Sequence, residues 1–203
     1  NPTHGYTAAG SYTVTLTATN AAGCMATITK TVVVAGLPAP TVSAIPSPAC
    51  VGVPVNFTAT GANIISWLWN FNDGATNGSQ NPAHTYLTAG NYTVSLAVVD
   101  NLGCTNTITL PITVNPAPAP DTIAWSPDLT FCSGDSVTLT APAGTGYTYL
   151  WSTGAGTQSI AVDTSGVYSV VVTNIFGCTM TPDSVVTTVL PAPTASIAGP
   201  LFI

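Results

Sequence analysis

The chain repeats itself with an offset of 80 residues, and this repeat constrains the fold more than any other sequence feature. The stretch 1–14 (NPTHGYTAAGSYTV) returns at 81–94 as NPAHTYLTAGNYTV, and a shorter third copy, DTSGVYSV, occupies 163–170. Each copy leads into a short polar stretch that ends in Gly-Cys, at Cys24, Cys104 and Cys178. A repeat of about 75–80 residues is long enough for one small β-sandwich with a single core.

Pro-Ala-Pro joints separate the repeats and predict where the domains begin and end. The four segments are half a repeat, two whole repeats and the opening strand of a fourth, at 1–36, 37–116, 117–190 and 191–203. Because residue 1 aligns with residue 81, we expect the parent protein to continue in both directions, with a further cysteine at or just after position 204. Pro-rich joints favour extended, semi-rigid connections.

Composition and alternation predict an all-β chain. β-branched residues favour strands, and 18 Gly and 17 Pro punctuate them. Apolar residues alternate with polar ones over 92–98 and 108–114, as expected of strands with one buried face. Pro111 cannot donate a backbone hydrogen bond, so the second of these strands should lie at a sheet edge. We predict tandem immunoglobulin-like β-sandwiches joined by short Pro-rich linkers.

Charged residues are only 4% of the chain, with Lys30 as the single Lys or Arg and seven Asp as the only acids. A nucleic-acid groove needs clustered Lys and Arg, which are absent. No apolar run reaches the roughly 18 residues of a membrane-spanning helix. The chain has no Gly-x-Ser-x-Gly elbow, and scattered Asp do not suggest the paired carboxylates of a glycosidase. We therefore expect no enzyme activity, no cofactor and no nucleic-acid partner.

Each full repeat contains one early and one late cysteine, which are Cys50 with Cys104 and Cys132 with Cys178. One pair per repeat predicts intradomain disulfides formed in an oxidising compartment. Cys24 is a late cysteine whose early partner would lie upstream of residue 1. Zinc is the competing reading, but the chain has no Cys-x-x-Cys and both His are far in sequence from any Cys.

Several aromatic and polar residues recur at the same repeat position, which predicts structural roles. A catalytic residue has no reason to recur in each repeat, so the histidines should support the loop before the tyrosine strand. The tyrosine hydroxyls should bond local backbone, and two tryptophans should lie in the cores. These structural residues are His4, His84, Tyr12, Tyr92, Tyr168, Trp69 and Trp151.

Two further features leave alternatives open. Trp125 is less constrained by the repeat and is the candidate for an exposed aromatic platform for sugars. Asp73, Asp100 and Asp163 sit at turns, where Asp side chains bond nearby backbone N–H groups. A weak calcium site is the alternative for these carboxylates.

The second repeat resembles the PKD (polycystic kidney disease) domain family in three motifs: WNFNDG at 69–74, NPAHTY at 81–86 and GNYTV at 90–94. The resemblance covers about 38–116, with 1–36 as the back half of another copy. It implies an immunoglobulin-like β-sandwich that serves as a spacer or adhesion module on extracellular proteins. Many members have a second Asp where this chain has Asn70, which weakens any implication of calcium binding.

The third repeat lacks the Asn-Pro-x-His box and resembles the bacterial Ig-like repeats of large Bacteroidota surface proteins. YLW at 149–151 and DTSGVY at 163–168 are similar to the core tryptophan and tyrosine corner of Ig sandwiches. The mixed array resembles type IX-secreted adhesins and gliding-motility filaments. Asp-Ser/Thr-apolar triplets resemble the O-glycosylation sites of the same bacteria, with Thr122, Ser136 and Ser184 as acceptors.

These features together predict a non-catalytic, structural segment of an extracellular bacterial surface adhesin or filament. Its expected partners are neighbouring repeats, other copies of itself in a filament and surface polysaccharide. One alternative is a spacer or carbohydrate-binding array attached to a secreted hydrolase. Another is a calcium-stiffened adhesion module.

Overall fold

The computed structural model describes residues 2–119 and 121–194, which contain strands and no helix that could cross a membrane. The chain divides into two compact units, residues 1–114 and 115–203. The strands of the described residues are β1 (Gly10–Thr19), β2 (Met25–Val34), β3 (Thr41–Ile45), β4 (Ala49–Cys50), β5 (Pro54–Thr60), β6 (Ile64–Asn70), β7 (Thr76–Asn77), β8 (Ala83–Thr85), β9 (Gly90–Asp100), β10 (Thr105–Asn115), β11 (Ala124–Ser126), β12 (Thr130–Cys132), β13 (Val137–Thr140), β14 (Thr148–Trp151), β15 (Ser159–Val162), β16 (Gly166–Tyr168), β17 (Val170–Thr173), β18 (Thr179–Met180) and β19 (Val185–Leu190).

The all-β prediction is confirmed, and the two compact units meet at Val114/Asn115. Just after this boundary, the Asn174 side-chain amide donates to the Pro116 carbonyl at 2.7 Å. This bond ties the joint to the third repeat. The fourth segment, 191–203, lies outside the described residues from 195 onward.

Residues 10–34 form an antiparallel hairpin, with β1 paired to β2 from Gly10↔Val34 to Thr19↔Met25. The alternation of Val14, Leu16 and Ala18 with threonines predicts an apolar face of β1 that points inward. Instead Leu16 is 65% exposed and Val14 is 44% exposed. Among the described residues no second sheet pairs with or covers this face, so the alternation produces no core here.

The second repeat is a two-sheet sandwich, with strand orders β3-β5-β8 and β4-β10-β9-β6-β7. Alternate residues of β5 and β9 are buried between the sheets, as the period of two requires. Phe57 of β5 packs against Trp69 of β6, with ring centroids 5.3 Å apart. The buried core is Ala49, Val55, Phe57, Ala59, Trp69, Phe71, Tyr86, Val94, Leu96, Val98, Ile112 and Val114.

Strand β10 lies at a sheet edge for most of its length, as Pro111 predicts. It pairs with β9 from Thr105↔Val99 to Val114↔Gly90, while its other neighbour, β4, has only two residues. Proline has no backbone N–H to donate, and on this side of β10 no full-length strand is present to accept such a bond.

The third repeat has the same character, with sheets β11-β13-β15, β12-β19-β16 and β14-β17-β18. Only Ser169 separates β16 from β17, so the last two sheets share one nearly continuous strand. The core surrounds Trp151, which is 2% exposed. Its buried residues are Ile123, Phe131, Val137, Leu139, Ala141, Trp151, Val162, Tyr168, Val170, Val172 and Val185.

The predicted intradomain disulfides are wrong for this structure, in which Cys104, Cys132 and Cys24 have free thiols while Cys50 and Cys178 are disulfide-bonded. In the second repeat, Cys104 follows Asp100 at one end of β9. Cys50 lies near the other end, where the Gly52 amide donates to the Tyr86 carbonyl just before Gly90. The 11 residues of β9 span about 30 Å, whereas disulfide Cα atoms lie within about 7 Å of each other.

The third repeat separates its two cysteines in the same way. Cys132 pairs with Leu190 at the end of β19, close to Gly166 at the start of β16. Cys178 follows the turn after β17, beyond Thr173. The stretch from Gly166 to Thr173 spans more than about 20 Å of extended chain, so Cys132 cannot reach Cys178 within the domain.

We expect Leu96→Ala to lower the free energy of unfolding of the second repeat by about 2–5 kcal/mol, because it removes a fully buried side chain and leaves a cavity. Leu102→Ala is the matched control, because Leu102 is 69% exposed, and should change the value by less than about 0.5 kcal/mol. Urea unfolding followed by tryptophan fluorescence measures both. Equal effects of the two substitutions would contradict the assignment of the core.

Candidate functional site

The most concentrated group of polar and aromatic side chains in the second repeat surrounds His84. Its Nε2 lies 2.7 Å from Oδ2 of Asp73, in an ion pair with both side chains largely covered. The imidazole stacks on Phe71 at a centroid distance of 4.1 Å and an interplanar angle of 4°. Tyr86 meets the same ring edge-on at 4.7 Å. His84 is therefore held by contacts on several sides.

The turn after β6 presents Asp73 to this histidine. The Phe71 amide donates to the Ala75 carbonyl at 3.1 Å, and the Ala75 amide donates to Oδ1 of Asp73 at 3.0 Å. Gly74 has a φ of 98°, a conformation that strains residues with a Cβ. The Asn-Asp-Gly sequence thus fixes one carboxylate oxygen on the turn and leaves the other for His84.

The electrostatics of the pair favour an ionised Asp73. Partial burial acts to raise the pKa of this carboxyl, but the hydrogen bonds from the Ala75 amide and the His84 ring outweigh it and lower the pKa below its usual value. Burial, followed by the nearby Asp73 charge, raises the pKa of the Tyr86 hydroxyl, which donates to the Phe71 carbonyl at 3.2 Å. Both polar groups stabilise the loop conformation.

An Asp-His pair is also two-thirds of a hydrolytic triad, which needs a nucleophile beside the imidazole. Among residues 2–119 and 121–194, no Ser, Thr or Cys side chain is hydrogen-bonded to His84. One face of the imidazole is covered by Phe71. The same part of the chain contains no group of three or more His, Cys, Asp or Glu arranged for a metal ion. The arrangement is that of a structural cluster.

The recurring tyrosines make the local bonds expected of corner residues. The hydroxyl of Tyr92 donates to the Thr88 carbonyl at 2.9 Å and lies 2.8 Å from the Thr88 hydroxyl. Tyr12 and Tyr168 make the same bond four residues back, to Ala8 at 2.9 Å and Thr164 at 3.3 Å. Each bond fastens the loop before its strand.

The hairpin loops before the late cysteines also share one geometry. Oδ1 of Asp100 accepts hydrogen bonds from the amides of Leu102 at 2.9 Å and Cys104 at 2.8 Å. Asn20 and Asn174 accept the equivalent pairs in the other two copies. Asp100 is therefore occupied by its own loop, as its position at a turn predicts.

Two glutamines that sequence reasoning missed support the core tryptophans. Nε1 of Trp69 donates to the Gln80 carbonyl at 3.2 Å, and the Gln80 side chain donates to the Ala59 carbonyl at 2.7 Å. Trp151 donates to the Thr157 carbonyl at 2.8 Å, and the next residue, Gln158, donates to Ala141 at 3.2 Å. The available signal was a hydroxyl-Gln pair, Ser79-Gln80 and Thr157-Gln158, after each tryptophan strand.

The remaining candidates lie at the surface. Trp125, on β11, is 49% exposed, and the three acceptors of the predicted O-glycosylation, Thr122, Ser136 and Ser184, are also exposed. His4 meets Tyr6 edge-on at 4.8 Å, outside any sandwich core. Glycosylation and sugar binding at these positions stay predictions.

These cores, corner tyrosines and two-sheet layers define the immunoglobulin-like class of β-sandwich. Residues 37–114 match the sequence model of the PKD domain, and residues 1–33 match a second PKD domain model. The matches assign residues 37–114 and 1–33 to PKD domains.

Two curated relatives are bacterial collagenases. The chain is 38% identical over 68 residues to "Microbial collagenase" of Vibrio alginolyticus, which is 34% of this chain and 8% of that protein. It is 52% identical over 40 residues to "Collagenase ColA" of Bacillus cereus, which is 20% of this chain and 4% of that protein. The chain thus spans less than a tenth of the length of either relative.

Among solved structures, the PKD1 domain of Vibrio anguillarum Epp is similar to part of this chain. It is 28% identical, with a TM-score of 0.35, over 40% of this chain and 96% of that one.

We expect the stability of the second repeat to fall as the pH drops below about 4. A carboxyl whose pKa is lower in the folded state stabilises the fold above its unfolded pKa, which is about 3.9. That contribution is lost as the pH falls through the folded pKa. Asp73→Asn should reduce the fall in the free energy of unfolding at acid pH, as measured by urea unfolding from pH 2.5 to 6. A fall at acid pH that is unchanged in Asp73→Asn would refute the assignment.

We expect Tyr92→Phe to lower the free energy of unfolding by about 0.5–1.5 kcal/mol, because it removes the hydroxyl that bonds the Thr88 carbonyl. Tyr147→Phe is the control, since the Tyr147 hydroxyl makes no hydrogen bond among the described residues. Urea unfolding of both variants tests this. A loss no larger than in the control would show that the corner bond contributes nothing.

Proposed function

We propose that this chain is a non-catalytic, structural segment of an extracellular bacterial protein, in which its β-sandwiches act as spacers between other parts. The two PKD domain matches support the proposal. The observation that carries it is the use of recurring polar residues for internal bonds. His84, Asp73, Asp100 and Tyr92 all hold loops in place.

The similarity to collagenases favours a spacer within a large hydrolytic protein over an adhesin or filament. The matches cover only 68 and 40 residues of this chain, so the catalytic part of such a protein would lie outside the matched stretches. The adhesin or filament form of the proposal requires contacts between copies of the chain. The exposed apolar side chains and 4% charge support that form independently.

The purified 203-residue chain tests the non-catalytic role directly. We expect no hydrolysis of denatured collagen above the buffer blank, and the same rate for the wild type and His84→Gln, because His84 is a packing residue. Hydrolysis that is present in the wild type and lost in His84→Gln would overturn the proposal. Circular dichroism of both proteins confirms that the comparison is between folded chains.

Sedimentation velocity over a hundredfold range of protein concentration distinguishes a spacer from a segment of an adhesin or filament. A spacer remains monomeric throughout. A filament segment shows a sedimentation coefficient that rises with concentration and falls again when an exposed β1 residue is made charged, as in Leu16→Asp. Thr15→Asp is the matched control on the opposite face of the strand.

Trp125 favours one further candidate role, in binding polysaccharide. An indole that is 49% exposed can stack on a sugar ring, as aromatic platforms do. Retardation in native gels containing soluble glucans tests this role. Retardation of the wild type that disappears in Trp125→Ala would support it, and equal mobility with and without glucan would exclude it for those polymers.

A further inference from the structure

The hairpin formed by β1 and β2 has a twin in the second repeat, the hairpin formed by β9 and β10. The first hairpin pairs from Gly10↔Val34 onward and the second from Gly90↔Val114 onward. Each later pair of the first hairpin also recurs in the second at an offset of 80 residues. The two hairpins therefore share their strand register and present corresponding faces and edges.

The surroundings of the two hairpins differ. In the second repeat, β6 pairs with the outer edge of β9 and places Trp69 opposite Leu96. Phe57 of β5 belongs to the same core, in which Leu96 is fully buried. In the first repeat the counterpart of Leu96 is Leu16, which is exposed, and no strand of the described residues other than β2 pairs with β1. One hairpin is thus covered and its twin is open.

The open hairpin combines an apolar face with an unprotected edge. Natural sheets block their free edges with charged residues, prolines or bulges. The ten residues of β1 include no charged residue and no proline, and their pairing with β2 is continuous. The outer edge of β1 is therefore free to pair with another strand. The apolar side chains on the adjoining face are Tyr12, Val14, Leu16, Ala18, Ile28 and Val32.

Lys30 is the one charged residue on this face, where it lies opposite Val14. Its counterpart in the second repeat is Leu110, which is only partly buried and packs at the margin of the core. A lysine at such a margin can lay its methylene stem over apolar neighbours while its ammonium group stays in water. Lys30 therefore does not prevent the face from being covered, and it favours a partner with an oxygen acceptor at that margin.

We propose that the hairpin of β1 and β2 is an acceptor site for a strand of another polypeptide. The partner is an extended segment with aromatic side chains at alternate positions, which pairs antiparallel with the outer edge of β1. An aromatic side chain of the partner lies opposite Leu16, as Trp69 lies opposite Leu96 in the second repeat. Backbone hydrogen bonds along the edge supply affinity, and the aromatic side chains over the apolar face supply specificity.

A second copy of this chain does not fit the role of the partner. Its own aromatic strand, β6, is already paired with β9, and Trp69 is buried in the core. The partner is thus a different polypeptide with an unpaired aromatic strand. A site of this kind would serve a spacer and an adhesin alike, so a failure of the spacer role would leave it untouched.

Binding of a fragment to the intact 203-residue chain is the first test. The probe is a dye-labelled fragment of residues 37–89 with Cys50→Ser, which contains β5 and β6 and ends before β9. In the intact chain the hairpin of β9 and β10 is already covered, so only the hairpin of β1 and β2 is open to the probe. We expect fluorescence anisotropy to show saturable binding of one fragment per chain. An anisotropy that does not change would overturn the proposal.

Matched substitutions locate the site. Leu16→Asp in the intact chain should weaken binding by about tenfold or more, because it places a carboxylate without a partner under the aromatic strand. Thr15→Asp, on the opposite face of β1, should change the affinity by no more than about twofold. Equal losses in the two variants would contradict a site on the apolar face. In the probe, Trp69→Ser should also weaken binding, whereas full affinity of that fragment would contradict aromatic recognition.

Hydrogen exchange distinguishes strand addition from an exchange of strands. Alternate amides of β1 point away from β2, and they should exchange about tenfold or more slowly when an isotope-labelled fragment is bound. Exchange over residues 41–85 of the intact chain should be unchanged. Faster exchange there would show that the fragment had displaced the chain's own strands, and it would overturn the acceptor site.

Discussion

A single buried tryptophan is the centre on which each described sandwich depends. Trp69 and Trp151 are almost fully covered, so each indole N–H needs a partner inside the protein. A loop carbonyl accepts it, that of Gln80 or of Thr157. The side chains of Gln80 and Gln158 donate in turn to the carbonyls of Ala59 on β5 and of Ala141 just after β13. The need of the buried indole N–H for an acceptor therefore fixes the loop after the tryptophan strand and the spacing of the two sheets.

The near-absence of charge makes this dependence on packing unusually strong. With 4% charged residues, the chain holds its loops by tyrosine hydroxyls, carboxamides and a single His-Asp ion pair among the described residues. These groups are saturated by internal partners, and no buried side-chain N or O atom in the described part of the chain lacks one. A protein built this way is suited to hold shape between other parts of a larger molecule.

Particular residues show where sequence reasoning succeeded and where it stopped. The alternation over 92–98, the edge strand with Pro111 and the corner bond of Tyr92 follow from local rules of strand and turn geometry. The face of β1 around Leu16 obeys the same alternation yet is exposed, because burial needs a second sheet to cover it. Gln80 and Gln158 escaped notice because their role depends on a loop that folds back over the tryptophan.

The repeat, the strands, the turns and the family can all be read from the order of the amino acids, since they depend on contacts between residues close in the chain or on a pattern of period two. Which cysteines can meet depends on the three-dimensional fold. Pairing within a repeat is the natural reading of one early and one late cysteine. However, the direction of β9 and β10 places Cys50 and Cys104 at opposite ends of the sandwich. Distance across a sheet depends on strand direction and register, and neither is encoded in the spacing of two cysteines along the chain.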